Sequence, residues 1–294
     1  MSKSFPDAIK DGKFIITVEL DPPKGIDNSD LLRQVQSLKD RVDGINLSDN
    51  RGGVMRLGAL AASLLVKQNG GEPILNLACR DKNRLALASE ALGAAALGVS
   101  NILCMTGDHT THGDHQESKP VYDLDSVQAL KMLKGLTEGR DLKGNALSGS
   151  PQFCLGAVVT PEADPLEPQL LKFTKKAELG IDFFQTQAVF DLNRLADFMK
   201  FARQYETKII VGVRLLSWEE ISHYRDGSLP GVLVPLSLIE ELRQAGEVEG
   251  PKKALDRIAN QIREIKSGNL GDGIHIMAMG QESLIPEILT KAGL

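Results

Sequence analysis

No tract of basic residues runs through this chain of 294 residues. Lys and Arg number 34 against 39 Asp and Glu, and the formal net charge is -5, so nothing in its charge favours nucleic acid as a substrate. No stretch approaches the roughly 20 uninterrupted apolar residues that a membrane helix needs. The opening MSKSFPDAIKDGK carries no apolar core of a secretory signal, and a soluble, cytoplasmic protein is expected. Cysteine is scarce as well. Cys79, Cys104 and Cys154 each lie in an apolar run, and no C-x-x-C spacing is present, so neither zinc nor an iron-sulfur cluster is expected and the thiols read as core residues of a reducing compartment. Cys79 and Cys104 nevertheless fall near the ends of expected strands, close enough to touch a ligand. No low-complexity linker divides the chain, and one domain over 1–294 is expected.

What is present is an alternation. Short apolar, β-branched runs at 14–20, 42–47, 73–79, 101–106, 153–159, 182–187, 208–213 and 273–279 read as strands. Segments of helical period follow them, the first carrying Leu31, Leu32, Val35 and Leu38 and the others at 55–68, 83–97, 122–136, 167–179, 191–205, 251–267 and 281–292. Asp27 or Ser29 is a candidate cap for the first of these helices. The stretch 217–250 is longer and broken by Pro230 and Pro235, and reads as a helical insertion between strands seven and eight. Eight such repeats predict an α/β fold, the (β/α)8 TIM barrel. The rival doubly wound sheet lacks its G-x-G-x-x-G after the first strand.

A parallel barrel gathers its functional groups at the C-terminal ends of its strands. That rim would hold Glu19, the turn of Ser48, Asp49 and Asn50, Asn76, Asp108, Thr160, Gln187 and the 277–281 segment. It has no strand-end lysine for a Schiff base, no His/carboxylate metal set, and no serine or cysteine nucleophile with its histidine. His109, His112 and His115 lie in a polar loop without a rigid frame, and read as solvated. Lys172, Lys175 and Lys176, at i, i+3 and i+4, form either a solvated face or a patch that holds phosphate. Amides, hydroxyls and few charges suit a heteroaromatic ligand bound by hydrogen bonds, with the hard chemistry left to a bound cofactor.

VELDPP, TGDH, TPEADP, KKAELGIDFFQTQAVFD and GIHIMAM occur in this order, and through them the chain resembles the methylenetetrahydrofolate reductase family along nearly its whole length. The resemblance implies a flavin-dependent barrel enzyme that reduces 5,10-methylenetetrahydrofolate to 5-methyltetrahydrofolate. It makes Glu19 the general acid that opens the folate ring to an iminium, Asp108 the carboxylate beside flavin and folate, and Gln187 the amide that binds the pterin. Asn46, Asn76, Thr106, Tyr122, Thr160, Gln169, Lys172, Lys175 and Lys176 fall at or near flavin-contacting positions, and the lysines would meet the flavin phosphates. The flavin implied is FAD ahead of FMN.

Departures from the family pattern occur in several places. Met277 and Gln281, at substrate-facing positions, stand in a segment where the family often has Tyr-Thr-Leu-Asn-Arg. Arg214-Leu215 replaces Leu-Pro, Glu219 an aromatic, Asn76 a histidine and Thr160 a tyrosine. These positions serve the flavin, the folate side chain and the nicotinamide donor. The departures suggest a divergent branch, similar to the enzymes of acetogens and other anaerobes, in which a partner subunit carrying metal clusters delivers the electrons and the chain works as a hetero- or homo-oligomer. Two alternatives stay open: a pterin-binding barrel that transfers a methyl group to a corrinoid protein, and a non-catalytic flavin subunit that relays electrons.

Overall fold

Each β-branched run becomes a strand buried on both faces, which is what a parallel sheet covered by helices demands. The computed structural model describes residues 4–223, 228–229 and 232–294. Strands β1 (Ile15–Leu20), β2 (Gly44–Leu47), β3 (Pro73–Ala78), β4 (Asn101–Met105), β5 (Cys154–Val159), β6 (Phe183–Ala188) and β7 (Lys208–Arg214) run parallel in sequence order. A short antiparallel pair, β8 (Ser228–Leu229) and β9 (Val232–Leu233), interrupts the series before β10 (Gly273–Met277). β1 pairs with both β2 and β10, and this closes a (β/α)8 barrel.

The helices are α1 (Phe5–Lys10), α2 (Ser29–Leu38), α3 (Ala59–Gln68), α4 (Arg84–Ala96), α5 (Ser126–Thr137), α6 (Glu167–Ala177), α7 (Leu192–Ala202), α8 (Trp218–His223), α9 (Leu236–Ser267) and α10 (Ile285–Ala292). Several begin where a side chain satisfies the free N–H groups of the first turn. Asn83 Oδ1 accepts from Ala86 N at 3.0 Å, Asp191 caps α7, and Asp125 with Gln128 forms a capping box on α5. No helix among the described residues is long and apolar enough to cross a membrane.

The structure shifts some expected boundaries. α2 follows Asn28, while Asp27 instead accepts from the Ser29 backbone and hydroxyl. α3 starts at Ala59 rather than 55, because residues 51–53 form a 3-10 turn held against the loop after β4. There a Cβ on Gly113 would lie 2.0 Å from the Gly53 carbonyl, so only glycine fits. α5 starts at Ser126, after Tyr122 at φ 41°. In the expected insertion, α8 and the β8–β9 pair precede one helical run, α9, which breaks at Gly246 (φ 81°). Pro251 lies inside the helical run, five residues after that break. Pro230 lies outside the described residues.

α1 was not expected from the sequence. It lays Phe5 and Ile9 on an apolar layer formed by Ile15, Ile74, Leu103, Cys154, Phe183 and Ile210. Phe5 meets the Phe183 ring edge-on at 5.1 Å. The barrel is thus plugged at its N-terminal end, and truncating Phe5 to alanine would cost roughly 3–5 kcal/mol. The opposite end stays open.

Candidate active site

Side chains alternate along a strand, so Ile15, Thr17 and Glu19 of β1 point into the barrel at three successive levels. Apolar residues fill the lowest level. The middle level is polar: Thr17, Asn46, Asn76, Gln185 and His275 join in one hydrogen-bonded layer. Asn46 Nδ2 donates to Asn76 Oδ1 at 2.8 Å and to Gln185 Oε1 at 3.0 Å, and Gln185 Nε2 donates to Asn46 Oδ1 at 2.9 Å and to Thr17 Oγ1 at 3.1 Å. Thr17 Oγ1 lies 3.0 Å from His275 Nδ1. Burial alone holds this imidazole neutral, with its pKa lowered to about 3.

Above this floor opens a cavity of about 560 Å³, a size suited to a cofactor-sized ligand. Glu19 faces it at the end of β1. The pairings Val18–Ile276 and Met277–Arg214 place Glu19, Met277 and Arg214 side by side on three adjacent strands. The Glu19 carboxyl makes no hydrogen bond among the described residues, and its pKa is raised to about 7. Burial is the main cause; Arg51 and Arg214 oppose it, while Asp21 and Glu282 add to it.

Of the residues expected at the mouth, Glu19, Asp108, Gln187 and Met277 line the cavity, as do Asn76, Thr106, Thr160, Gln169, Lys172 and Lys176. A register shift between Gln185 and Ala188 puts both Thr186 and Gln187 on the wall, the kind of re-aiming that bulges provide. Four residues fall outside. Asn46 is buried within the floor network. Tyr122 donates its hydroxyl to the Gly107 carbonyl at 3.1 Å, behind the wall. Gln281 lies beyond the rim with its Nε2 buried and unpaired. Lys175 is exposed and does not line the cavity, so the three lysines do not share one face: Lys176 is buried against the wall, and Lys172, though exposed, reaches the cavity.

Lys176 is buried and donates to the Val158 carbonyl at 2.9 Å, and burial lowers its pKa. No carboxylate among the described residues pairs with Lys176 or Lys172. Cys79 and Cys104 are fully buried behind the wall and do not line the cavity. His109 and His115 are exposed and engaged locally, with Thr111 and Asp114. Glu162 of the TPEADP loop turns away from the cavity and accepts from Phe190 N and Asp191 N at 2.8 and 2.5 Å, which fixes the loop after β6.

Sequence reasoning did not single out Arg51, Gln185 and His275, all of which line the cavity; Arg214, a departure from the family pattern, lines it as well. Arg214 is only 8% exposed and binds Glu220 Oε1 at 2.5 Å, and Arg51 binds Asp21. Positive charge at the mouth therefore comes from the turn after β2 and the end of β7 as well as from the lysines of α6. For Gln185 and His275 a signal existed: each stands two residues before an expected cavity residue on the same strand.

The sequence matches the family model described as methylenetetrahydrofolate reductase over residues 4–293. A Caenorhabditis elegans protein named "Probable methylenetetrahydrofolate reductase (NADPH)" is 25% identical over 242 residues, covering 80% of this chain and 34% of that protein. The chain thus spans about a third of that relative's length. Among solved structures, a Clostridium thermocellum protein described as binding two copies of 5-methyl-5,6,7,8-tetrahydrofolic acid is similar, with 15% identity, coverage of 98% of this chain and 97% of that one, and a TM-score of 0.66. A tryptophan synthase from M. tuberculosis is similar at 12% identity, covering 98% and 92%, with a TM-score of 0.53. At these identities the structures share the fold.

Proposed function

The chain belongs to the methylenetetrahydrofolate reductase family, and on that premise we propose that it reduces 5,10-methylenetetrahydrofolate to 5-methyltetrahydrofolate with a bound flavin. The observation that carries the reading is Glu19: a carboxyl at a strand end, facing a cavity, without a hydrogen bond among the described residues, and held by burial at a pKa of about 7. A carboxylic acid of that strength is about half protonated at pH 7 and can act as a general acid.

In this mechanism Glu19 gives its proton to a bridging nitrogen of the folate, the ring opens, and a positive iminium develops. Asp108, across the mouth, offers a fixed negative partner to that charge. The Gln187 amide, aimed by the bulge, orients the pterin. Thr106, Thr160, Gln169 and Asn76 supply hydrogen bonds along the wall. Lys172 and the buried, carboxylate-free Lys176 fit an anionic group such as the flavin phosphates. A flavin bound there would supply hydride chemistry. We take it to be FAD, with FMN the alternative.

The reading extends to a one-domain catalytic unit over residues 1–294 that receives its electrons from a partner subunit with metal clusters. The experiment that tests the core of it is purification followed by mass identification of any extracted chromophore, together with Glu19→Gln. A flavin that remains bound to an inactive Glu19→Gln variant supports the reading. A colourless protein, or full folate turnover by Glu19→Gln, overturns it.

A further inference from the structure

His275 plays no part in the mechanism above, yet it is a buried, titratable ring that lines the cavity. Its environment can be settled hydrogen by hydrogen. Asn46 Nδ2 has two hydrogens, and both are used, on Asn76 Oδ1 and Gln185 Oε1. Gln185 Nε2 has two, used on Asn46 Oδ1 at 2.9 Å and Thr17 Oγ1 at 3.1 Å. None is left for His275 Nδ1, which lies 3.4 Å from Gln185 Nε2. Among the described residues the one other partner of Nδ1 is the Thr17 hydroxyl. Its single hydrogen has two acceptors in reach, His275 Nδ1 at 3.0 Å and the Ile274 carbonyl at 3.3 Å. The nearer is the imidazole.

We propose that Thr17 holds His275 as the Nε2–H tautomer, and that this N–H is a hydrogen-bond donor on the cavity floor that takes an acceptor edge, a ring carbonyl or imine nitrogen, of the bound heterocycle. Nε2 has no acceptor among the described residues, although the ring faces the cavity. Burial keeps the ring neutral, so one nitrogen must accept while the other donates. His275 is then a ligand-contacting residue and Thr17 a positioning residue that acts through it. The ligand clause rests on the function proposed above. The tautomer does not, because it is set by protein groups alone.

Nitrogen-15 spectra of the histidine rings in the ligand-free protein test the first half. The wild-type ring should be a neutral Nε2–H tautomer from pH 5 to 8. Thr17→Ser should keep it, and Thr17→Val, which lacks the hydroxyl hydrogen, should release it. Calorimetric titration with FAD and, separately, with 5-methyltetrahydrofolate tests the second half and identifies which ring is read. His275→Phe should weaken one of the two about tenfold, the worth of one well-made hydrogen bond. Thr17→Val should weaken the same ligand, and the double variant should lose no more than His275→Phe alone. An Nδ1–H tautomer, an imidazolium at pH 6, or His275→Phe binding both ligands within twofold of wild type would overturn the proposal. If His275→Phe fails to fold, the Thr17→Ser and Thr17→Val pair still decides it.

Discussion

Asn46 and Gln185 exchange both amide hydrogen bonds across the barrel, at 3.0 and 2.9 Å, although they are 139 positions apart in the chain. This reciprocal pair ties β2 to β6 and orders the amides on which the floor depends. A buried amide left without its partner costs free energy, whereas loss of both partners together costs less.

Asn46→Leu should therefore lower stability by roughly 2–4 kcal/mol, since it strands groups on both Gln185 and Asn76. The double variant Asn46→Leu/Gln185→Leu should lose clearly less than the sum of the single losses, because the two residues share the interaction. Denaturant unfolding of the three variants measures this, and strict additivity would contradict the network.

Glu19→Gln should reduce folate turnover by about 10²- to 10⁴-fold while ligand binding survives. The wild-type rate should fall as pH rises through about 7, where Glu19 loses its proton. Stability has the same sign. The folded carboxyl holds its proton more tightly than the unfolded one, so the native state loses stability between about pH 4.5 and about pH 7 and levels off above. Thermal melts of wild type and Glu19→Gln across this window should diverge in that direction. Parallel curves would show that burial does not raise this group.

Lys176→Met should weaken FAD binding about tenfold or more, as expected for loss of a charge-assisted contact. Lys175→Ala should leave it within about twofold, since Lys175 stands in solvent. Titration of the two apoproteins with FAD separates them. Equal effects would mean that Lys175, like Lys176, reaches the ligand.

The electron donor gives a fourth expectation. The single purified chain, loaded with flavin, should oxidise NADH far below the rate at which it reduces folate when supplied with a chemical reductant. Stopped-flow bleaching of the flavin by NADH measures this, and rapid bleaching without a partner would remove the need for a second subunit.

Much of the barrel was legible in the sequence because its signals are local. Apolar β-branched runs and helical stripes each act within a few residues, whereas the cap expected at Asp27 or Ser29 fell at Asn28. The mouth was partly legible for the same reason: a residue at the end of a strand run, such as Glu19 or Gln187, must lie at the rim once the barrel closes. Thr17, Gln185 and His275, two residues earlier on their strands, share that parity and could have been read as the layer below. Lys175 was not separable from Lys176 by spacing alone, because which side of α6 faces the sheet depends on the packing of Phe173. The role of α1 was hidden too, since a six-residue helix gains its stability from the barrel end it covers.

The sequence by itself determined the eight strand–helix repeats and which side chains stand at the strand ends, because backbone preference and alternation are properties of neighbouring residues. Only the tertiary structure decided what those side chains meet: Asn46 with Gln185, Arg214 with Glu220, Thr17 with His275. The proton affinities of Glu19 and His275 belong to that second kind, since each is set by how completely distant parts of the chain exclude water from the group.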